Sequence, residues 1–584
     1  MRTLTHIAHT LLATAAFTAT TLVAAAQPAM AKGALPEGKP AAPAAAMGGL
    51  DPALIVHPTP DSWPTYSGDY SGTRYVPLSE INTTNVHGLT LAWTTRLSGG
   101  TAAPPSGPFG PAAPAVPTTV GGVGTNEAPM GQLKGAEIVV DGVMYVTTPD
   151  NVWALDALDG RVLWHYFWKT RGGTHIGNRG VAMWHDRVFF ETPDDYLIAL
   201  NAKTGKEIWH KEIASFDLQY FSTMAPAVIG DHLLVGTGND LDEPGMLQSF
   251  DPMSGDVQWK WYAVPMKKGD PGLDTWKNLD AASHGGGNIW VNGSYDPETH
   301  LYILGTGNPT AAYTSQSRGP GANLYTCATV AINVDTGKMA WYYQTSPHDT
   351  HDYDSAQTQV LVDGTWQGKP RKLVLTAARN GYFFVLDRIT GEHLLTSKIV
   401  DSPNWADPDK LDANGAPIRV PAKDYDYGGS IVSPANGGVV NWPPPAYSPQ
   451  TGLFYVNANE SYAMYYLATT DPRGAMGLGG KDEISLGSLG GYLVAIDYKT
   501  GKPAWKHRYP GVGAANNIGV TTTAGHLLFS PDPRGNLVAY DAANGKQLWH
   551  AHIGPTNAPE SYMLAGHQYI LQGAGDTLYA FRLQ

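Results

Sequence analysis

The segment from His348 to Ser355, HDTHDYDS, holds three carboxylates and two histidines within eight residues. In β geometry, side chains two positions apart point the same way, which predicts that Asp352 and Asp354 share one face with Tyr353 turned away. Two carboxylates at that spacing repel each other, so the pair needs a cation, a shared proton or open water. The spacing alone does not choose between a binding site and a solvated turn.

A recurring pattern indicates the elements that position these acids. It consists of an apolar strand ending in Asp or Asn, a short turn with Gly, and then a Trp, and each copy predicts a hairpin followed by a docking tryptophan. Six copies end in Trp, a seventh ends in Leu, and an eighth equivalent precedes them: Trp164, Trp209, Trp259, Trp341, Trp505, Trp549, Leu395 and Trp93. Repeats about 45 residues apart with roughly four strands each are typical of β-propeller blades. The sequence therefore predicts an all-β fold, an eight-bladed β-propeller with tryptophan-docking repeats.

Composition agrees with a turn-rich β protein. Of the 584 residues, 67 are Gly, 15% are charged and 10% are aromatic. The formal net charge of −13 argues against nucleic-acid binding and is compatible with basic protein partners.

The amino terminus has the features of a secretory signal. Arg2 precedes an apolar run, and the small-x-small site Ala29-Met30-Ala31 follows it. A membrane anchor is the alternative, but the run is short and rich in alanine. We expect a signal peptide at 1–31, and no later segment is long and apolar enough to span a bilayer.

The remaining chain divides into a tether and one large domain. Residues 32–57 are rich in Ala and Pro and predict a linker, and residues 58–584 predict the propeller. Export in this form predicts a soluble mature protein in the periplasm. Cys327 is the only cysteine, so an intrachain disulfide and a Cys-x-x-Cys-His haem site are both excluded.

Four segments carry a resemblance to a known family. They are DSWPTYSGDYSGTRYVPLSEINTTNVHGLTLAW, SYDPETHLYILGTGNPT, SPHDTHDYDS and AARNGYFFVLD. Together they resemble the pyrroloquinoline quinone (PQQ) dependent alcohol dehydrogenases, including methanol dehydrogenase, over nearly everything after residue 60. The resemblance implies PQQ as cofactor and a bound metal ion.

The resemblance assigns roles to the acids and to the floor of the site. Trp290 in GGGNIW matches the indole that lies flat beneath the quinone, and Asn308 in GTGNP matches an amide ligand of the metal. Asp352 matches the general base that removes the alcohol proton. Asp354 matches a second acid found in lanthanide-dependent members, whereas calcium-type members usually have a small or neutral residue there. The implied ion is calcium or a lanthanide, with Asp352 and Asp354 among its ligands.

The resemblance also implies further cofactor contacts. Arg379 in AARNG matches an arginine that reaches a quinone carbonyl beside the base, and Arg179 in GNRG matches one that pairs with a PQQ carboxylate. Thr223 and Asn441 match lesser hydrogen-bonding residues.

Five positions depart from the family pattern. Thr237-Gly238-Asn239-Asp240 stands where the family has Ser-Gly-Ala-Glu, so Asp240 replaces a glutamate metal ligand and Thr237 and Gly238 occupy cofactor positions. Lys134 replaces a glutamate that contacts PQQ, and a lysine can bind a PQQ carboxylate instead. The other three departures are Gly173-Thr174 in place of two adjacent cysteines, Asn517 in place of a tryptophan, and His351 in place of a tryptophan.

These observations support two functions of different classes. The first is an exported dehydrogenase that oxidises an alcohol with PQQ and passes electrons to a separate cytochrome c or similar acceptor, because this chain has no haem motif. The second is a catalytically silent propeller that serves as a protein-binding scaffold, which the departures favour. The sequence leaves the alcohol and the oligomeric state open, and a homodimer is one of the states it allows.

Overall fold

A computed structural model describes residues 49–101, 116–239, 241–424, 428–467 and 481–584. These residues fall in the second of two compact units, Met47–Gln584. The predicted signal peptide and residues 32–48 of the predicted linker lie outside the described residues, as does Asp240.

The described chain is built almost entirely from short strands. The first nineteen are β1 (Tyr75–Val76), β2 (Leu89–Arg96), β3 (Thr118–Gly122), β4 (Ile138–Val140), β5 (Val143–Thr148), β6 (Asn151–Asp156), β7 (Val162–Lys169), β8 (Ala182–Trp184), β9 (Arg187–Glu191), β10 (Tyr196–Asn201), β11 (Glu207–Glu212), β12 (Ala227–Ile229), β13 (His232–Thr237), β14 (Met246–Phe250), β15 (Val257–Tyr262), β16 (Ser294–Asp296), β17 (Leu301–Gly305), β18 (Ala328–Asn333) and β19 (Lys338–Gln344).

The remaining strands continue the same pattern of short elements. They are β20 (Val360–Trp366), β21 (Lys369–Ala377), β22 (Tyr382–Asp387), β23 (His393–Lys398), β24 (Ala406–Leu411), β25 (Pro417–Arg419), β26 (Ser430–Val432), β27 (Ala446–Ser448), β28 (Leu453–Leu467), β29 (Lys481–Asp497), β30 (Lys502–Arg508), β31 (Thr521–Thr523), β32 (Leu527–Pro531), β33 (Asn536–Asp541), β34 (Gln547–His552), β35 (Glu560–Leu564), β36 (His567–Ala574) and β37 (Thr577–Leu583).

Helices are few and short in the described residues. One α-helix, α1, spans Leu279–Ser283, and the 3₁₀ turns are Pro52–Val56, Val86–Gly88, Phe216–Leu218, Leu273–Thr275 and Pro421–Lys423. A search of the described residues for a helix of membrane-spanning length and hydropathy found none.

The strands of the described residues form eight sheets of four or five strands and one two-stranded ribbon. The sheet orders are β3-β7-β6-β5-β4, β11-β10-β9-β8, β12-β13-β14-β15, β16-β17-β18-β19, β20-β21-β22-β23, β26-β28-β29-β30 with β27 on β28, β1-β31-β32-β33-β34 and β2-β37-β36-β35, and the ribbon is β24-β25. Within most sheets, consecutive strands are antiparallel neighbours. The fold is therefore an all-β arrangement of the propeller type.

The antiparallel order fixes where the connections lie. In a sheet of four such strands, the connection entering the first strand, the turn after the second and the exit from the fourth share one end. The turns between third and fourth strands, where the repeated Gly lies, share the opposite end. Residues in the first group of connections can therefore converge on one side of the sheets.

Each repeated turn is organised by its own Asp or Asn. In the β22–β23 turn, Asp387 Oδ1 accepts hydrogen bonds from the backbone N–H groups of Ile389 and Thr390, each at 2.9 Å. Gly391 then takes a left-handed conformation with φ +74°, which glycine adopts without strain. Local turn chemistry explains why these hairpins form where the repeat predicts them.

The repeat tryptophans contact the turn of a neighbouring sheet. Trp341 Nε1 donates to the carbonyl of Arg388 at 3.1 Å, and a Cβ built on Gly391 would lie 2.6 Å from the Trp341 ring. Five other indoles donate to a carbonyl in the same way: Trp164 to Ala202, Trp209 to Met253, Trp259 to Val334, Trp505 to Ala542 and Trp549 to Leu89. These contacts link sheets that are consecutive in the chain.

The hydrophobic core lies between neighbouring sheets. One buried cluster joins strands of four consecutive sheets, for example through Val152, Ile198, Leu234 and Val330. Each of these side chains is fully buried, so the sheets stabilise one another by removing apolar surface from water.

The ends of the described chain are paired with each other. β2 runs antiparallel to β37, with Leu89 opposite Leu583, and β1 runs parallel to β31, with Tyr75 opposite Thr522. The first strands thus complete sheets whose other strands come from the last part of the chain.

The predicted linker ends earlier than position 57. Pro52–Val56 is a 3₁₀ turn capped by Asp51, and Leu50 pairs with His185 in an isolated bridge. Leu50 and Ile55 are buried in the core cluster. The Ala/Pro-rich composition predicted a tether, but these two apolar side chains tie residues 50–56 to the folded part.

Candidate active site

The acidic segment is a loop between β19 and β20, not a strand. Asp352 has φ +66°, and Asp349 Oδ2 accepts the backbone N–H groups of Asp352 at 2.9 Å and Tyr353 at 3.1 Å. The prediction of β geometry for this segment is wrong because the side chain of Asp349 closes a turn there. Burial raises the pKa of Asp349 to about 6.

A guanidinium joins the two carboxylates that the sequence places together. Arg379, in the turn after β21, directs Nη1 to Asp352 Oδ1 at 3.2 Å and to Asp354 Oδ2 at 2.8 Å. Burial alone would lower the pKa of Arg379, but the two carboxylates outweigh it and hold the pKa above its ordinary value. Of the three ways to tolerate the acid pair, the chain itself supplies a cation.

Asp354 also gathers two other predicted residues. Its Oδ1 accepts the backbone N–H of Asn308 at 2.5 Å, and its Oδ2 accepts Trp290 Nε1 at 3.1 Å. Trp290 precedes β16, Asn308 follows β17 and Asp354 follows β19, so these contacts join three connections at the same end of one sheet. The structure therefore brings four predicted site residues together: Trp290, Asn308, Asp354 and Arg379.

Arg179 lies between two indoles. Its guanidinium carbon is 4.7 Å from the centre of the Trp290 ring and 4.9 Å from that of Trp442. Its Nη1 donates to the carbonyl and to the hydroxyl oxygen of Thr223. Burial lowers the pKa of Arg179 to about 10, so the group is cationic at neutral pH.

These side chains line one cavity of about 180 Å³. Its wall contains eight of the predicted site residues: Arg179, Thr223, Gly238, Trp290, Asn308, Asp352, Asp354 and Arg379. Ile176, Phe221 and Asn288 complete the wall, and sequence reasoning missed them. Asn288 has a signal, since it lies two positions before Trp290 in GGGNIW, whereas Ile176 and Phe221 have none.

Three predicted cofactor residues do not belong to the cavity wall as the described residues form it. Lys134 Nζ donates to the carbonyl of Ile176 at 2.8 Å, and Thr237 Oγ1 donates to Asp195 Oδ1 at 3.0 Å. Asn441 Nδ2 donates to the carbonyl of Gly437 at 2.9 Å. Each of the three is therefore held by a neighbouring polar group of the protein.

Two further departures from the family pattern, His351 and Asn517, differ in burial. His351 is buried and stacks on Tyr353, with ring centres 5.1 Å apart, and Nε2 lies 2.8 Å from the carbonyl of Lys423. Burial lowers the pKa of His351 to about 4, so the ring is neutral. Asn517 is exposed.

A buried acid pair lies behind Arg179. Glu191 and Asp195 are fully buried, and both carboxylate oxygens of Glu191 lack a hydrogen-bond partner among the described residues. Burial, then the charge of Asp195, raises the pKa of Glu191 well above its ordinary value, and Arg179 opposes this rise. Burial raises the pKa of Asp195 to about 7.

The cavity fits an acidic, planar cofactor and a hard cation. The buried Nε atoms of Arg179 and Arg379 have no hydrogen-bond partner among the described residues, so both guanidiniums keep donors for anionic groups. Asp352, Asp354 and Asn308 offer the oxygen donors that calcium-like ions prefer. The described residues contain no cluster of three His, Cys, Asp or Glu side chains around a metal position, and Asp240 lies outside them.

Comparisons with known proteins identify the family of the chain. The family profile described as "Glucose/ethanol/alcohol dehydrogenase, beta-propeller domain" matches residues 63–410, and the one described as "Outer membrane protein assembly factor BamB" matches residues 473–583. The quinohemoprotein alcohol dehydrogenase ADH IIB of Pseudomonas putida is 32% identical over 564 residues, which covers 91% of this chain and 76% of the relative.

Solved structures give the same result. The crystal structure of the quinohemoprotein alcohol dehydrogenase from Comamonas testosteroni matches with a TM-score of 0.78 and 30% identity, covering 92% of this chain and 83% of that one. A europium-containing methanol dehydrogenase matches with a TM-score of 0.77 and 27% identity, covering 91% and 99%. The profile match over more than half of the chain and the extent of these relatives show that the protein is an enzyme and belongs to the PQQ-dependent alcohol dehydrogenase family.

Proposed function

We propose that the protein is an exported PQQ-dependent dehydrogenase that oxidises an alcohol to an aldehyde or ketone. One observation carries the proposal: a single cavity is lined by an indole, two carboxylates, two amides and two guanidiniums from connections far apart in the chain. A propeller needs none of these groups for packing, and the same fold serves scaffolds and enzymes alike. Their convergence on one cavity favours the enzyme over the scaffold.

Three residues of the cavity would bind the cofactor or act on the substrate. Trp290 offers a large apolar face for stacking, and Arg179 offers a cation for a carboxylate of the cofactor. Asp352 takes the proton of the substrate hydroxyl as general base, held by Arg379 at Oδ1 and by the Tyr313 hydroxyl at Oδ2 over 3.3 Å. When bound, PQQ supplies the acceptor for the hydride equivalent from the alcohol carbon, and a metal ion supplies Lewis acidity.

The metal would be held by oxygen donors of three segments. Asp352, Asp354 and Asn308 line the cavity, and Asp240 follows Gly238 in the chain. Asp352 and Asp354 supply two negative charges at this position, and Arg379, which contacts both, supplies one positive charge. We propose calcium or a lanthanide, and the second acid favours the lanthanide because a trivalent ion gains most from an added carboxylate.

We further propose that the eight sheets are blades of one closed ring with docked tryptophans. The contacts that support it run from sheet to sheet in chain order, and a Cβ on Gly160 in the first of these sheets would lie 2.5 Å from Trp93 of β2 in the last. Leu395 takes the tryptophan's place against Gly501, where the Cβ distance would be 2.7 Å.

Export to the periplasm and transfer of electrons to a separate carrier complete the proposal. The signal-like first 31 residues support export. The absence of a Cys-x-x-Cys-His motif from the sequence supports a separate cytochrome c or similar acceptor.

Reconstitution tests the function directly. The purified protein is mixed with PQQ and either calcium or lanthanum, and dye-linked oxidation of a panel of alcohols is measured. We expect activity with at least one metal, and Asp352→Asn lowers kcat by about 10²- to 10⁴-fold because the carboxylate can no longer take the proton. PQQ affinity should change little. An active Asp352→Asn enzyme would refute the role of the base, and failure of the wild-type protein to bind PQQ with either metal would favour the scaffold.

A further inference from the structure

The segment 172–177, between β7 and β8, forms one side of the cavity. Ile176 lines the cavity while keeping 60% of its surface exposed. Gly173 has φ +103°, and a Cβ there would lie 2.1 Å from the carbonyl oxygen of Pro193. The segment therefore crosses closely over the turn after β9, and only glycine permits that approach.

Two side chains from other connections tie this segment down. His175 Nε2 lies 2.8 Å from Asp150 Oδ2 in the turn after β5. Lys134 Nζ donates to the carbonyl of Ile176 at 2.8 Å. Asp150 is 1% exposed, and its Oδ1 has no hydrogen-bond partner among the described residues.

The surroundings of the His175 ring favour its protonated form. Nδ1 lies 3.1 Å from the carbonyl of Gly173 and Nε2 faces Asp150, so each ring nitrogen meets an acceptor. A neutral imidazole has one N–H and can satisfy only one of them, whereas an imidazolium satisfies both. The hydrogen bond with Asp150 is the largest cause that raises the pKa of His175, against burial.

Other charged groups around the His175 ring also affect its pKa or lie close to it. Asp194, in the turn after β9, also raises the pKa of His175. Burial raises the pKa of Asp150, and the bond to His175 opposes that rise. Two arginines lie four residues from His175: Arg171 is directed to Glu212, 2.9 Å away, and Arg179 is directed to Thr223. Lys134 is directed to Ile176.

We propose that His175 and Asp150 are positioning residues that clasp the segment 172–177 over the cavity and release it as the imidazolium loses its proton. The consequence for the enzyme rests on the proposed function: the clasp would retain the acidic quinone cofactor. Below the pKa of His175 both hydrogen bonds are made and the wall is closed. As pH rises through that pKa, one bond is lost and the wall opens more often.

Hydrogen exchange of the cofactor-free protein tests the clasp without any activity. Exchange of peptides that contain 172–177 is measured at pH 6 and pH 8.5 and corrected for the intrinsic pH dependence of exchange. We expect protection to fall several-fold between these pH values in the wild-type protein. In His175→Gln, protection at pH 6 should already be about tenfold lower, because a charge-assisted bond to a buried acceptor is gone.

Two further variants define the result. Asp150→Asn removes the charge from the acceptor and should lower protection at pH 6 as His175→Gln does. His210→Gln is the matched control: His210 Nδ1 lies 2.7 Å from Glu207 Oε1 in an exposed pair of the same type, and its loss should leave 172–177 unchanged. Wild-type protection in His175→Gln at pH 6, or no pH dependence in the wild-type protein, overturns the proposal.

PQQ binding separates the clasp from the proposed function. The dissociation constant of PQQ is measured with calcium present from pH 6 to pH 9. We expect His175→Gln to bind about three- to tenfold more weakly than the wild-type protein at pH 6 and equally at pH 9. Equal affinity at pH 6 overturns retention by the clasp. A wild-type protein that binds no PQQ refutes the proposed function instead, while the exchange measurement still decides whether the clasp exists.

Discussion

At the scale of single residues, Asp354 is the organising acid of the site. Its carboxylate accepts the backbone N–H of Asn308, the indole N–H of Trp290 and Nη1 of Arg379. Asp352 accepts Arg379 at a longer distance, 3.2 Å. Asp354 thus aligns the neighbours of the proposed base.

Removing this carboxylate should destabilise the metal-free protein. Asp354→Ala removes the acceptor of the Asn308 backbone N–H and of the Trp290 indole N–H, and it leaves Arg379 with Asp352 alone. We expect this to lower the free energy of unfolding by roughly 2–4 kcal/mol. Urea unfolding measures this, and Asp354→Asn is the control because its amide oxygen keeps one acceptor. A change within about 0.5 kcal/mol for Asp354→Ala would contradict the organising role.

The same position should separate the two metals. Asp354→Asn lowers the negative charge around the ion by one, and a trivalent ion loses more attraction than a divalent ion at the same distance. We therefore expect the variant to lose its response to lanthanum before its response to calcium, measured as the metal concentration for half-maximal dye reduction. Equal losses for both metals would argue that Asp354 is not a ligand.

Asp195 should make stability depend on pH. Its pKa is raised from 3.8 to about 7, so the folded state binds the proton more tightly, and this stabilisation is lost as pH rises from about 4 to about 7. Asp195→Asn keeps an acceptor for Ser222 and Thr237, and Asn tolerates the φ of +63°. Relative to wild type, the variant should gain roughly 4 kcal/mol between pH 4 and pH 8. Parallel stability profiles from urea unfolding at each pH would rule this out.

The site could be predicted only where a motif fixes both position and role. Trp290, Asn308, Asp352, Asp354 and Arg379 each lie in a recognisable short segment, and the structure brings them together. The direction of a side chain depends on tertiary contacts that a short motif does not contain. The Lys134 ammonium, for example, donates to the carbonyl of Ile176 and does not line the cavity. Ile176 reaches the wall only because its segment folds across another connection.

At the scale of elements, the hairpin turn and the preceding repeat's tryptophan form one structural unit. The turn requires glycine for two reasons: the residue has a positive φ, and the indole lies against its Cα. Gly391 shows both features, with φ +74° and a Trp341 ring atom 2.6 Å from a Cβ position.

A matched pair of glycines separates these two requirements. Gly452 has φ +70° and nothing within 4 Å of its Cβ position, so Gly452→Ala should cost about 1 kcal/mol of unfolding free energy from backbone strain alone. Gly391→Ala adds a clash with the Trp341 ring and should cost about 2–4 kcal/mol. Urea unfolding of the two variants gives the difference, and equal losses would show that the indole contact contributes nothing.

Local chemistry also sets the limits of what the repeat predicts at this scale. The turns are predictable because Asp or Asn, Thr and Gly act within five residues of each other. The conformation of residues 351–354 is not predictable in this way. The alternation of side chains suggests a strand, but Asp349 caps a turn and Asp352 lies in the left-handed region. The packing of the apolar residues within 50–56 is likewise not predictable, because the composition of the surrounding segment is that of a linker.

At the scale of the whole molecule, the repeats alone do not predict that strands from the two ends of the described chain pair with each other. β2 and β37 are separated by nearly the whole chain and form one sheet. Nearby, the buried Arg74 lies 3.5 Å from Glu560 of β35. Non-local pairing of this kind depends on tertiary closure and leaves no periodic signal in the sequence.

Net charge belongs to the same scale and bears on the proposed electron acceptor. A protein with a formal charge of −13 attracts a basic partner over distances comparable to the Debye length. That length falls from about 30 Å at 0.01 M salt to about 8 Å at 0.15 M. We expect the second-order rate of electron transfer to a basic cytochrome c to fall at least tenfold over this range, measured by stopped flow with the reduced, reconstituted enzyme.

An uncharged dye is the control for this prediction. Its rate should show no such fall, because the electric field of the protein does not attract it. A rate that rises with salt for the basic cytochrome would mean that the docking face itself is positive, and the net charge would then be no guide to the partner.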